Sequence, residues 1–136
     1  YSEKIIVMGR SLGSASACEI ISNYENEISG LIIESGFATE LPLIKILDLA
    51  PSDINYSPSD GFENLRKLIN YKKPILIIHA EDDDIIPIDE AKLMHQKIGS
   101  NQKDFWIVKN ANHNNILIQS LEEYFLRIKN FISNLD

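Results

Sequence analysis

The sequence predicts an α/β fold: a mostly parallel sheet flanked by helices. Three observations carry this expectation. Short β-branched runs recur at residues 5–8, 31–33, 75–78 and 105–108. None alternates strictly between apolar and polar, the pattern of parallel strands buried on both faces. Segments with apolar residues at helical spacing separate the runs, and 136 residues suffice for a single domain, 1–136, with one core.

Taken in order, the first strand feeds directly into Gly9-Arg10-Ser11-Leu12-Gly13, and a helix follows in which Ala17, Ile20, Ile21 and Tyr24 share a face. The second strand leads into an irregular stretch, 37–60. Pro42, Pro51 and Pro58 break it, so Leu43, Ile44 and Leu47 can make only a short helix. Excursions of that length between strands often serve as lids or binding segments. Asp60 and Glu63 have capping-box spacing ahead of Phe62, Leu65, Leu68 and Ile69. After the third strand, Ala91, Met94, His95 and Ile98 repeat the helical spacing and Gly99 supplies a stop. After the fourth, Leu117, Leu121, Tyr124, Phe125, Ile128, Phe131 and Leu135 predict one long helix with one apolar stripe.

Composition excludes several classes of protein. A hydrophobic content of 44% with 24% charged residues argues against disorder and fibrous repeats. Thirteen basic against 20 acidic residues leave a net charge of -7, which repels nucleic-acid backbones. The one basic cluster, Arg66, Lys67, Lys72 and Lys73, reads as a solvated helix face and the approach to a strand. Cys18 is the single cysteine, so there is no internal disulfide and no cysteine-based zinc site. A lone thiol fits a reducing compartment, which favours the cytoplasm. No apolar run approaches the roughly 18 residues of a membrane span.

Ser11 is the first candidate for chemistry. A nucleophile must stand exposed at the C-terminal end of a strand, on a tight, strained turn. Gly9 and Gly13 are expected where side chains would strike the neighbouring strand and helix. The following helix would aim its partial positive charge at the site. A serine hydroxyl also needs a base. His95 lies within a helical pattern and reads as packing or surface, and His79 at the end of the third strand reads as structural. His113 lies in the polar loop 110–115 after the fourth strand, at the sheet's C-terminal edge, where it can reach a serine on a central strand. The acid is expected in the loop 79–87, where Glu81, Asp82, Asp83 and Asp84 stand in a row. A calcium loop is not the reading, because Ile85, Ile86 and Pro87 fall where further oxygen ligands and a glycine are needed.

In that order "GRSLGSA", "IIHAEDDDIIP" and "NANHNNI" resemble the nucleophile elbow, acid loop and histidine loop of the α/β-hydrolase superfamily. The likeness is to the C-terminal half of its catalytic domain, with a BEM46-like and ABHD13-like flavour. "LIIESGF" is similar to the segment after the elbow in lipase, esterase and acyl-peptidase-like members. The resemblance covers essentially the entire chain and implies a partial α/β-hydrolase fold. It also implies a serine hydrolase acting on a small-molecule acyl substrate (an ester, thioester or amide) without metal or cofactor. Aligning His79 and Pro87 with the family's His-Gly-x-x-Asp-x-x-Val-Pro pattern puts the acid at Asp83. Ala80 replaces the glycine, which leaves Asp84 in reserve. Asn110 and Asn112 replace both glycines of the histidine loop, and asparagine tolerates left-handed backbone.

By the same resemblance the Leu12 N–H is one oxyanion donor, and Arg10, Phe37 and Ile86 are pocket residues. The family's second donor comes from a loop after an early strand, and no such segment is found here. The chain therefore reads as part of a longer hydrolase, with a non-catalytic α/β-hydrolase-like binding module as the alternative. An unblunted apolar strand at 4–8, lacking a neighbour on one side, is expected to favour self-association.

Overall fold

A computed structural model describes residues 3–136. Four strands form one parallel sheet: β1 (Ile6–Arg10), β2 (Gly30–Glu34), β3 (Ile75–Ala80) and β4 (Lys103–Val108), adjacent in chain order. Register runs from Ile6 opposite Gly30 to Arg10 opposite Glu34, so the ends of β1 and β2 are level where the candidate serine begins. The α/β architecture is as expected.

Side-chain alternation divides the core. Leu31, Ile33, Ile75 and Ile77 face α1 (Gly13–Tyr24), α3 (Asn64–Asn70) and α4 (Ile88–Lys97), through Cys18, Ile21, Leu68 and Met94. Ile32, Leu76 and Ile78 face the other way, against Tyr124 and Phe131 of α6 (Leu121–Ser133). This two-sided burial explains why the central strands are unbroken apolar runs. Burial on both faces holds only for β2 and β3. In β1, Met8 is 46% exposed, because the strand has β2 as its only partner among the described residues. Pairing also starts at Ile6 and extends through Gly9 and Arg10, so the free edge lies at 6–10 rather than 4–8.

Three local expectations fail for identifiable reasons. Asp60 closes on the Ser57 N–H at 3.0 Å and Glu63 forks onto Arg66, so neither caps α3 and no capping box forms between them. The final stripe breaks at Ser120 into α5 (Ile116–Gln119) and α6, leaving Leu117, Leu121 and Phe125 outside the core. The basic cluster is only partly solvated: Lys67 pairs with Glu19, and Lys73 donates to the Ile28 carbonyl at 2.6 Å.

The excursion 37–60 holds one short helix, α2 (Leu41–Ile46), and two 3-10 turns, Pro51–Ile54 and Pro58–Asp60. Two carboxylates staple it. Glu90 of α4 accepts the Ala38 and Thr39 N–H groups, both at 2.7 Å. Glu40 accepts the Tyr56 hydroxyl at 2.5 Å and the Phe62 N–H at 2.6 Å. Among the described residues no helix is long and apolar enough to cross a membrane.

Candidate active site

The strand-to-helix turn after β1 places Ser11 in left-handed backbone, with φ of 51°. That conformation is costly for a residue with a side chain. Its N–H donates to the Glu34 carbonyl at 2.9 Å, and its carbonyl accepts the Ser14 N–H at 2.9 Å. These bonds pin the strained residue between the end of β2 and the start of α1. Gly9 is required by space: a Cβ there would sit 2.6 Å from the Gly13 carbonyl oxygen and 2.7 Å from the Ala17 Cβ. Gly13 is different. A Cβ there meets nothing within 4 Å and its φ is not positive, so the collision expected from the sequence does not occur.

His113 sits in the loop after β4, reached through Asn110 in left-handed backbone. Its Nε2 lies 2.9 Å from the Ser11 Oγ, and its Nδ1 lies 2.8 Å from the Asp83 Oδ2. A carboxylate only accepts from the imidazole, so Nδ1 carries the hydrogen and Nε2 is free to accept from the serine. The other oxygen of Asp83 accepts two backbone N–H groups, from Ile85 at 3.0 Å and Ile86 at 2.7 Å. Asp83 is buried, whereas Asp82 and Asp84 are exposed. The three residues come from three loops at one end of the sheet, and their arrangement can pass a proton from hydroxyl to imidazole.

His79 is packed beside this chain. It is fully buried, and its Nε2 donates to the Ile86 carbonyl at 2.8 Å. Burial pushes its pKa below the ordinary value, outweighing the attraction of Asp83 3.4 Å away. The contact is therefore that of a neutral imidazole beside a carboxylate, not an ion pair. His95 is half-buried in α4 against Phe105, away from the other two histidines.

The remaining expected residues separate. Phe37 and Ile86 are buried and form a small apolar cluster with Ala15, on which Leu43 and Ile85 pack. The Leu12 N–H opens the turn beside Ser11, and it makes no backbone hydrogen bond among the described residues. Arg10 turns away from the apolar cluster: it donates to Glu34 at 3.2 Å and to the His113 carbonyl at 2.6 Å. Glu34 also accepts the Tyr124 hydroxyl at 2.5 Å. Sequence reading missed Glu34 and Tyr124, although a carboxylate ending the apolar run Leu31-Ile32-Ile33 was a usable signal. A cavity of about 550 Å³ lies between the excursion and α3, lined in part by Ala38, Tyr56, Leu65 and Ile69. None of Ser11, Asp83 and His113 lines it, so its size does not mark it as the reacting site. Among the described residues no cluster of His, Cys, Asp and Glu is arranged to hold a metal ion.

Parallel sheet, strained serine turn and histidine loop together define a member of the α/β-hydrolase superfamily, represented by part of its domain. Residues 1–114 match the dienelactone hydrolase family, and the chain belongs to that family. Among curated proteins it is 29% identical over 133 residues to alpha/beta hydrolase domain-containing protein 17C of Xenopus tropicalis, covering 97% of this chain and 39% of that protein. It is 26% identical to the human 17B protein over 132 residues, covering 96% and 42%. The chain thus spans about two fifths of the length of these relatives. An esterase structure from Pyrococcus furiosus superposes with a TM-score of 0.77 at 20% identity, covering 98% of this chain and 55% of the other. A monoacylglycerol lipase from Paleococcus ferrophilus gives 0.72 at 17%, covering 96% and 69%.

Proposed function

We propose that this chain carries the reacting centre of a serine hydrolase that cleaves carboxylic ester, thioester or amide bonds in a small acyl substrate. The observation that carries the reading is the continuous hydrogen-bonded line from Ser11 Oγ through His113 to Asp83, starting on a strained turn. Ser11 attacks the acyl carbon while His113 Nε2 takes its proton. Asp83 holds the imidazole in the required tautomer and steadies the imidazolium. The Leu12 N–H receives the negative charge that develops on the carbonyl oxygen. His113 then returns the proton to the leaving group, and water repeats the sequence on the acyl-enzyme. Phe37 and Ile86, fully buried, back the acyl pocket from behind the partly buried Leu43 and Ile85, and the excursion 37–60 covers it.

A second reading, a binding module without turnover, is favoured by one observation: Leu12 is the one oxyanion donor assigned in this chain. One experiment separates the two. The full-length protein, treated with a fluorophosphonate, is expected to label on Ser11, and Ser11→Ala is expected to remove both labelling and ester hydrolysis. Hydrolysis persisting in Ser11→Ala would remove the serine assignment, and a wild type that never labels would favour the binding module.

A further inference from the structure

Arg10 ends β1 immediately before Ser11, opposite Glu34 at the end of β2. Its guanidinium reaches two acceptors on different elements. Nε donates to Glu34 Oε1 at 3.2 Å, and Nη2 donates to the backbone carbonyl of His113 at 2.6 Å. Glu34 is buried, 5% exposed, so its charge demands compensation. Arg10 supplies the cation, and Tyr124, reaching over from α6, donates its hydroxyl to the other carboxylate oxygen at 2.5 Å. Burial and the neighbouring carboxylate both raise the Tyr124 pKa, which keeps that hydroxyl protonated and donating.

The histidine loop needs such a tie. Asp83 and Ser11 meet the imidazole at Nδ1 and Nε2, but bonds to the ring do not fix the backbone that carries it. Apart from the contacts of the His113 ring with Ser11 and Asp83, the loop is held by the Ala111 carbonyl, which accepts the Asp82 N–H at 3.0 Å, and by the bonds among Asn112, Asn114 and Asn115. Neither links it to the strand that carries Ser11; the Arg10 bond does. An arginine suits the position because its planar fork can serve a carboxylate and a carbonyl together, which a lysine point charge does poorly.

We propose that Arg10 is a positioning residue that braces the His113 loop against the serine strand, its guanidinium fixed by Glu34 and Tyr124. This rests on the serine-hydrolase reading. It acts through His113 and not on substrate, so it should govern turnover and not binding. A misplacement of about 1 Å in a reacting group can cost roughly a hundredfold.

The test uses the full-length protein carrying Arg10→Met with Glu34→Gln, a pair that removes the brace without stranding a buried carboxylate. Three readouts are taken: the rate of labelling by a neutral fluorophosphonate, kcat and KM on a neutral acetate ester, and amide hydrogen exchange over residues 110–115. The expected result is a fall of about a hundredfold in labelling rate and kcat, with KM within about twofold. Exchange at 110–115 should accelerate while β2 and β3 are unchanged. Wild-type labelling with unchanged loop exchange overturns the brace, as does a rise in KM alone, which would make Arg10 a substrate-binding group. Should the pair not fold, Tyr124→Phe carries the test: labelling slowed about threefold to tenfold supports the proposal, and no change overturns it. If the wild type itself does not label, the serine-hydrolase reading fails separately, and loop exchange alone decides the brace, acceleration supporting it and no change overturning it.

Discussion

His79 and Asp83 lie 3.4 Å apart with no side-chain exposure, yet the imidazole gives its Nε2 hydrogen to the Ile86 carbonyl. Ile86 in turn gives its N–H to Asp83 at 2.7 Å. The acid loop is thus closed by a neutral histidine whose Nδ1 has no hydrogen-bond partner among the described residues. The folded-state pKa of His79 lies below its ordinary value of 6.5, so the unfolded chain binds the extra proton first. The full contribution is present above about pH 6.5 and is lost as pH falls toward the lower folded value. Thermal melts from pH 7.5 downward should show stability falling below that point. His79→Leu should flatten this slope and lower stability by about 1–3 kcal/mol, because it leaves the Ile86 carbonyl without its donor. An unchanged slope in His79→Leu would show that other groups set the acid limit.

Asp83→Asn is expected to lower kcat by orders of magnitude, because an amide at Oδ2 can donate and so favours the wrong imidazole tautomer. Asp82→Asn and Asp84→Asn, both exposed, should change it little. Steady-state rates on a neutral ester check this, and a larger loss in Asp84→Asn would move the acid by one residue.

Left-handed backbone at Ser11 predicts that Ser11→Gly is more stable than Ser11→Ala by about 1 kcal/mol, since glycine accepts that conformation without strain. Denaturant midpoints of the two variants provide the measurement. Equal midpoints would mean that the turn stores no strain at this residue.

The two glycines flanking Ser11 should behave oppositely. Gly9→Ala forces a methyl against backbone and the Ala17 side chain and should cost about 1–3 kcal/mol. Gly13→Ala, with open space and ordinary φ at the start of α1, should lie within about 0.5 kcal/mol of wild type. Comparable losses at both positions would contradict the geometry.

Among the described residues, β1 has no strand partner along its outer edge, beside exposed Ile5 and Met8. The 136-residue chain made alone should therefore self-associate at micromolar concentration. Sedimentation equilibrium reads this directly, and replacing Met8 with lysine should shift the chain toward monomer. A monomer with slow-exchanging amides at 6–10 would mean that the edge is covered in some other way.

What was legible in the sequence follows from how local each signal is. The Ile-rich central strands announce themselves because both of their faces are buried. Ser11, Asp83 and His113 could be singled out as candidates because each stands in a short motif whose order matters, and their side chains lie within hydrogen-bond reach of one another. The brace was not legible: Arg10 meets Glu34, 24 residues away, and His113, 103 away, and no periodicity links them. The capping spacing of Asp60 and Glu63 misled because better local partners, Ser57 and Arg66, compete for both carboxylates. The stripe along the last helix misled because hydrophobicity alone does not say whether a helix is interrupted at Ser120.

The geometry of the serine turn also bears on the order in which a ribosome delivers the chain. Ser11 emerges first, yet its hydrogen-bonding partner His113 is 102 residues downstream, beyond the whole sheet. Closing so long a loop is entropically costly unless the intervening strands have already docked. His113 therefore cannot reach Ser11 until β4 is in place, and on the proposed mechanism nascent chains stalled before His113 should present an inert hydroxyl. Appearance of fluorophosphonate reactivity during synthesis would time the completion of the fold, with Ser11 as its own clock.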